Sequence, residues 1–241
     1  MKFRTTTLSV LGYLGFIGVA QATLVPYRVL GVNLVFQDDY GPTGLTWTAN
    51  ANLAASETFG LPLSTNLGFY PGDTSGEQGR IGANGTMNWA GALFWIDAMN
   101  GSNYGGANDW RLWSALNADG SGPCGWVYNC TESELGYLFY VEGGLTPNHA
   151  ANTSPTLSAV FQGLQSDVYW SGTQYAPATA YAWTFDLGHG GQDIYTKGFS
   201  VYGWAVRPGR VTAAPLPGTA LLVWLGLLAL RGHRGTVNSG A

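Results

Sequence analysis

Residues 180–187 read AYAWTFDL and residues 199–207 read FSVYGWAVR. In the first run Tyr181, Trp183, Phe185 and Leu187 fall at alternate positions, which puts all four on one face of a strand. The second run is β-branched and aromatic, a composition that suits a pleated, half-buried surface. The two are expected to pair as a long hairpin, with GHGGQDIYTKG as the loop between them. Val168-Tyr169-Trp170-Ser171 supplies a short strand just upstream. Further out, residues 27–36 (YRVLGVNLVF) read as one opening strand, and residues 47–57 (WTANANLAASE) as a weak helix. Residues 60–86 show no period and many Gly, Pro, Asn, Ser and Thr, so they read as loop. In residues 88–99, Trp89, Leu93 and Ile96 fall at i, i+4 and i+7, which predicts a helix with Asn88 as N-cap. Thr131-Glu132-Ser133-Glu134 reads as a capping box ahead of Leu135, Leu138 and Phe139, with Gly143 as C-cap. Residues 144–160 look irregular. Two or three helices come first and antiparallel strands come late, so the expected class is α+β with a small antiparallel sheet.

The two ends read as address labels. Lys2 and Arg4, the apolar run from Leu8 to Val19 and the small residues around Gln21 predict a secretory signal peptide over 1–22, cut after Ala22. At the other end a linker over 211–219 leads into an apolar run, ALLVWLGLLAL, closed by Arg231 and Arg234. Residues 220–234 therefore read as a short membrane-directed helix with a basic end expected to stay cytoplasmic. Between them, residues 23–210 form one expected domain. It holds six basic and 14 acidic residues, a formal charge of −8.

Charged residues are only 10% of the 241, while aromatics are 14% and Gly numbers 36. So many aromatics exclude a disordered chain. The acidic balance, with no basic patch, argues against nucleic acid as a partner. Cys124 and Cys130 lie six residues apart in the exported part. In an oxidising compartment they are expected to close one small loop, the alternative being two free thiols.

Two resemblances follow from these residues. Pro215 and Pro217, the hydrophobic run, and Arg231 and Arg234 resemble the PEP-CTERM sorting signal, with Leu216 where that family has Glu. This implies recognition by an exosortase-type membrane protease and at least transient anchoring through the C-terminal helix. Within the body, GLTW (44–47), MNW (87–89), NDWRL (108–112), YWSGT (169–173), YAW (181–183) and WAVRPG (204–209) occur in the order of the Lcl C-terminal domain family. Trp113 stands where that family commonly has Pro. The resemblance implies a C-type lectin-like fold and an extracellular, polysaccharide-adhering role; the family's founding member adheres to sulfated polysaccharide. The motif residues also read as scaffold: Trp110, Trp170, Trp183 and Trp204 are expected in the core, and Arg111 and Arg207 as partners of buried acceptors.

Candidate chemistry is sparse. Asn117-Ala118-Asp119-Gly120-Ser121-Gly122 imitates the start of a calcium loop, but its twelfth position is Tyr128 rather than Glu, so an ordinary turn is the competing reading. Ser171, His189 and Asp186 form the one conceivable hydrolase set, without a G-x-S-x-G elbow. Asp73-Thr74-Ser75-Gly76 reads as a polar turn rather than a protease motif. No cofactor and no catalysis are expected. Trp113, Trp126, Tyr128 and Tyr175 sit in predicted loops and are the candidates for stacking on sugar rings. The leading expectation is a non-catalytic polysaccharide- or envelope-binding module. The alternatives are a structural matrix protein without a specific ligand and, more distantly, an exopolysaccharide hydrolase.

Overall fold

The computed structural model describes residues 24–212. The expected signal peptide and the expected sorting segment, with Ala22, Pro215, Pro217, Arg231 and Arg234, lie outside these residues. No helix among the described residues is long and apolar enough to cross a membrane.

The described chain is α+β. Its strands are β1 (Leu24–Val29), β2 (Val32–Gln37), β3 (Leu45–Thr48), β4 (Thr86–Met87), β5 (Arg111–Leu112), β6 (Val168–Gln174), β7 (Tyr181–Asp186), β8 (Gln192–Thr196), β9 (Val201–Gly203) and β10 (Ala205–Pro208). Three short helices accompany them, α1 (Trp89–Gly101), α2 (Glu134–Tyr137) and α3 (Pro155–Val160). One sheet runs β1-β2-β3-β10-β5 and is antiparallel throughout. The other runs β4-β9-β6-β7-β8, with β6 and β9 parallel.

Several expectations change here. The opening strand is a hairpin, β1 and β2, turned at Leu30-Gly31. Both turn residues have positive φ (48° and 87°), the geometry whose twist matches that of paired strands. Residues 47–57 are strand β3 followed by a 3-10 turn at Leu53–Ala55, not a helix. Trp47 is fully buried and pairs with Val35 on one side and Val206 on the other, so tertiary pairing overrides a weak local preference. The expected long hairpin does not form. Residues 192–196, assigned to its loop, are strand β8, and β8 takes the place beside β7. The run 199–207 instead splits at Trp204. Before it, β9 joins the second sheet; after it, β10 joins the first.

Helix α1 forms as expected, with the Asn88 side chain accepting from the Gly91 N–H at 3.0 Å. The capping box does not. Ser133 precedes α2, and α2 runs into a π-helical turn at Leu138–Glu142. Glu134 is diverted to Arg111, whose Nη1 donates to Oε2 at 2.7 Å, and the same oxygen accepts from the Ser114 N–H. Helix α3, in the stretch read as irregular, starts on Ser154, whose hydroxyl accepts from the Leu157 N–H.

The second sheet lies between two apolar clusters. On β6 and β7, Val168, Trp170 and Ala182 face one cluster with α1, while Tyr169, Trp183 and Phe185 face the other with Phe139 and Leu157. This explains why β7 is buried on alternate residues of both faces, as interior strands are. Trp110, Trp170, Trp183 and Trp204 are all buried, as expected of large aromatics. Arg111 meets the buried Glu134; Arg207 meets Asp109, which is about half exposed.

Lys197 is the unexpected core residue. It is fully buried, with Nζ donating to Asp73 Oδ1 at 2.8 Å and Gln174 Oε1 at 2.7 Å, and lying 3.8 Å from the centre of the Trp89 ring. Burial pushes the Asp73 carboxyl up, but its hydrogen bonds from Lys197 and Ser75 outweigh this and hold it below the usual range. The pair ties the irregular 60–86 segment to β6 and α1. Removing one partner of a buried ion pair strands the other, at a cost of about 3–5 kcal/mol, whereas replacing both with apolar groups is often nearly neutral. Chemical denaturation of Lys197→Met is therefore expected to show a loss of that size, and Lys197→Met with Asp73→Leu to recover most of it; equal losses in the two variants would contradict the assignment.

Candidate functional site

Beside a groove of about 360 Å³ along Tyr27, Arg28, Asn33 and Gln162, two further concavities mark the described surface. The larger, about 680 Å³, lies along Tyr40, Thr43, Tyr70, Arg111 and Leu116. Its charges are already used: Arg111 is bidentate on Glu134, and the Tyr40 hydroxyl donates to the Glu132 carbonyl at 2.7 Å. The smaller, about 180 Å³, lies between the Cys124–Cys130 loop and β8.

The smaller cleft is built locally. Cys124 and Cys130 form the disulfide, with Cα atoms 6.0 Å apart. Gly136 of α2 lets the Cys130 carbonyl approach its backbone so closely that any Cβ there would overlap it. The loop between the cysteines is then docked on β8 by its backbone, the Gln192 N–H donating to the Val127 carbonyl at 3.0 Å. Pinned at both points, the loop holds three large side chains out in water. Trp126, Val127 and Tyr128 are 58%, 46% and 45% exposed. Trp126 leans on Tyr175, with ring centres 5.9 Å apart, and Tyr175 in turn packs on Trp183. Tyr128 stands edge-on to His189 at 5.7 Å.

Opposite these rings are acceptors. His189 Nε2 lies 2.8 Å from Asp186 Oδ2, and its Nδ1 accepts from the Gly191 N–H. That pattern places the proton of a neutral imidazole on Nε2. Asp193 is exposed, and its carboxylate accepts from the Ile194 N–H at Oδ1. Gln192 is 2% exposed and its Oε1 has no hydrogen-bond partner, while its Nε2 has only the Cys124 sulfur at 3.7 Å. Tyr195 completes the wall. No Lys or Arg lines this cleft.

The structure thus brings together two of the four sugar-stacking candidates, Trp126 and Tyr128, with Tyr175 behind the first. Trp113 is corrected. It is fully buried between β5 and β6, packs edge-on to Phe185 at 6.3 Å, and offers no surface to a ligand. The sequence signal for a loop at 113 is real, but the loop turns its ring inward. Gln192, Asp193 and Tyr195 fall in residues 192–196, which read as the middle of a hairpin loop; the alternation in QDIYT is the signal that marks them as strand.

The other constellations do not assemble. The Ser171 hydroxyl is buried and donates to the Trp183 carbonyl at 2.7 Å, and among the described residues it makes no hydrogen bond with His189. Asn117 to Gly122 closes on itself: Asn117 Nδ2 donates to Ser121 Oγ, and the Ser121 N–H donates to Asp119 Oδ1. Among the described residues no group of three His, Cys, Asp or Glu side chains could hold a metal ion. Comparison with protein-family models, curated proteins and solved structures yields no match.

A buried acid lies elsewhere. Glu142 is 6% exposed, and neither carboxylate oxygen has a hydrogen-bond partner. Burial first, then Asp39 and Asp38, push it up to about 8. A carboxyl that holds its proton more tightly when folded stabilises the fold most below its ordinary pKa near 4.5, and that contribution is lost as pH rises through about 8. The urea midpoint of the protein is expected to fall between pH 5 and pH 8, and that of Glu142→Gln to stay level across the same range. Parallel profiles for the two would remove Glu142 as the cause.

Proposed function

We propose that the chain is an exported, exosortase-sorted protein of the cell surface or extracellular matrix, whose single lectin-like domain binds polysaccharide without catalysing a reaction. The observation that carries this reading is the cleft at the disulfide loop. It sets exposed aromatic faces opposite hydrogen-bond acceptors, the two kinds of group that a pyranose ring and its hydroxyls need. A loop that is cross-linked and docked loses little entropy on binding, so it suits an adhesive role. The pairing of cysteines fits an oxidising compartment, consistent with the signal peptide and the PEP-CTERM-like tail. The six ordered sequence blocks support a lectin-like domain, and the α+β architecture is compatible with it. For the non-catalytic part, the support is that the imidazole of His189 is engaged by Asp186 while the candidate nucleophile Ser171 is buried and spent on a carbonyl.

The test is binding of the full chain to a panel of bacterial exopolysaccharides, by calorimetry or immobilised glycan. Trp126→Ala and Tyr128→Ala are each expected to weaken the best ligand at least tenfold with little change in stability, because both rings are exposed. Reduction of Cys124–Cys130 is expected to do the same and to cost about 2 kcal/mol of stability for so short a loop. No saturable binding to any glycan would favour a structural matrix role, and glycan turnover abolished by His189→Ala would favour a hydrolase. Export is tested by the mass and cell fraction of the mature protein: a chain lacking residues 1–22 at the envelope is expected, and an intact cytosolic chain would contradict it.

A further inference from the structure

The cleft at the disulfide loop has a chemical bias that narrows its ligand. Its one ionic side chain outside the internal pairs is an acceptor. Asp193 presents an exposed carboxylate with one oxygen outside the internal hydrogen bonds, whereas Asp186 is held by the Gly188 N–H and by His189 Nε2. Two of its side-chain donors are occupied: Thr184 Oγ1 gives its proton to the Asp193 carbonyl at 3.1 Å, and His189 turns Nε2 to Asp186 Oδ2 at 2.8 Å. The indole of Trp126 and the hydroxyls of Tyr128 and Tyr195 lie on its walls. The walls are the rings of Trp126, Tyr128 and Tyr195, whose faces carry negative quadrupole density. No Lys or Arg lies on the lining to neutralise this. The volume, about 180 Å³, is below the roughly 300 Å³ where drug-sized pockets begin, and is on the scale of one sugar ring.

A sulfate or carboxylate ligand needs positive charge, and would meet the Asp193 carboxylate with no Lys or Arg beside it. An ammonium group is the reverse case: three donors, no acceptor and a positive charge. It pairs with the Asp193 carboxylate and is attracted by the aromatic faces. The domain's formal charge of −8 draws a polycation from a distance. We propose that the cleft binds a glycan bearing free amino groups, a glucosamine-type unit of a de-N-acetylated polysaccharide, with the ammonium on Asp193 and the ring against Trp126 or Tyr128. The inference rests on reading the cleft as a polysaccharide site and adds the charge of the sugar it selects.

The experiment titrates the full chain with three probes: a glucosamine tetramer, an N-acetylglucosamine tetramer and a sulfated heparin-type tetrasaccharide. The glucosamine tetramer is expected to bind at least tenfold tighter than the N-acetylated one at low salt. Raising the salt to about 0.5 M is expected to shrink that preference, because exposed charges are screened. Asp193→Asn, whose side chain is exposed, is expected to cut the preference to threefold or less. Equal or tighter binding of the N-acetylated or sulfated probe would overturn the ammonium assignment while leaving polysaccharide binding standing. Absence of binding to all three probes, with saturable binding to some other glycan, would overturn the assignment alone. Absence of binding to every glycan would overturn both. A preference that survives unchanged in Asp193→Asn would also overturn the placement of the ammonium.

Discussion

The fold turns on Trp204. The chain leaves β9 in one sheet and enters β10 in the other with this single residue between them. Its indole is nearly fully buried, and Nε1 donates to the Thr48 carbonyl of β3 at 2.9 Å. Its ring packs at 4.9 Å from both Trp47 and Phe161 and at 6.1 Å from Tyr169. Those partners come from β3, from the end of α3 and from β6, so one side chain locks both sheets to a helix. Everything else in the second sheet, including β8 and the cleft beside it, takes its position relative to the first sheet from this corner.

The rest of the molecule repeats the device. Much of the chain is irregular, and irregular segments have few ladder hydrogen bonds with which to hold themselves. Tryptophan supplies both area and a donor. Trp89 donates to the Ser171 carbonyl, Trp95 to Glu57, Trp110 to Tyr104 and Trp170 to Met87. Each bond pins a loop or strand end from inside the core. Lys197 does the same with charge, fixing Asp73 and Gln174 at once. A body with so few charged residues spends several of them inside, on the Lys197–Asp73 pair and on Glu134, which Arg111 meets from the surface. The surface cleft is then rigid by inheritance: its floor is β8, paired to the fully packed β7, and its rim is a cross-linked loop.

How much of this the sequence disclosed depends on how local each feature is. Helix α1 was legible because its cap and its apolar spacing lie within one segment. Strands β6 and β7 were legible from composition, and the paired cysteines from their spacing. The capping box failed because Glu134 has a stronger distant partner in Arg111, and no local pattern encodes that choice. The long hairpin failed at Trp204. A run such as FSVYGWAVR has the look of one strand, and only the tertiary position of its tryptophan divides it between two sheets. For the cleft, Trp126 and Tyr128 were visible as aromatics in a loop. Trp113 had the same local signature and is buried, since direction in a loop is set by what it packs on. Asp193 and Gln192 were hidden because their strand was concealed in the supposed turn.

Native-state hydrogen exchange tests the central claim, that both sheets open as one unit because Trp204 joins them. The amides of β6 and β7 in one sheet, and of β3 and β10 in the other, are expected to exchange only with global unfolding, at a common opening free energy. Two plateaus, with the β6–β7 amides exchanging several kcal/mol below those of β3 and β10, would contradict it.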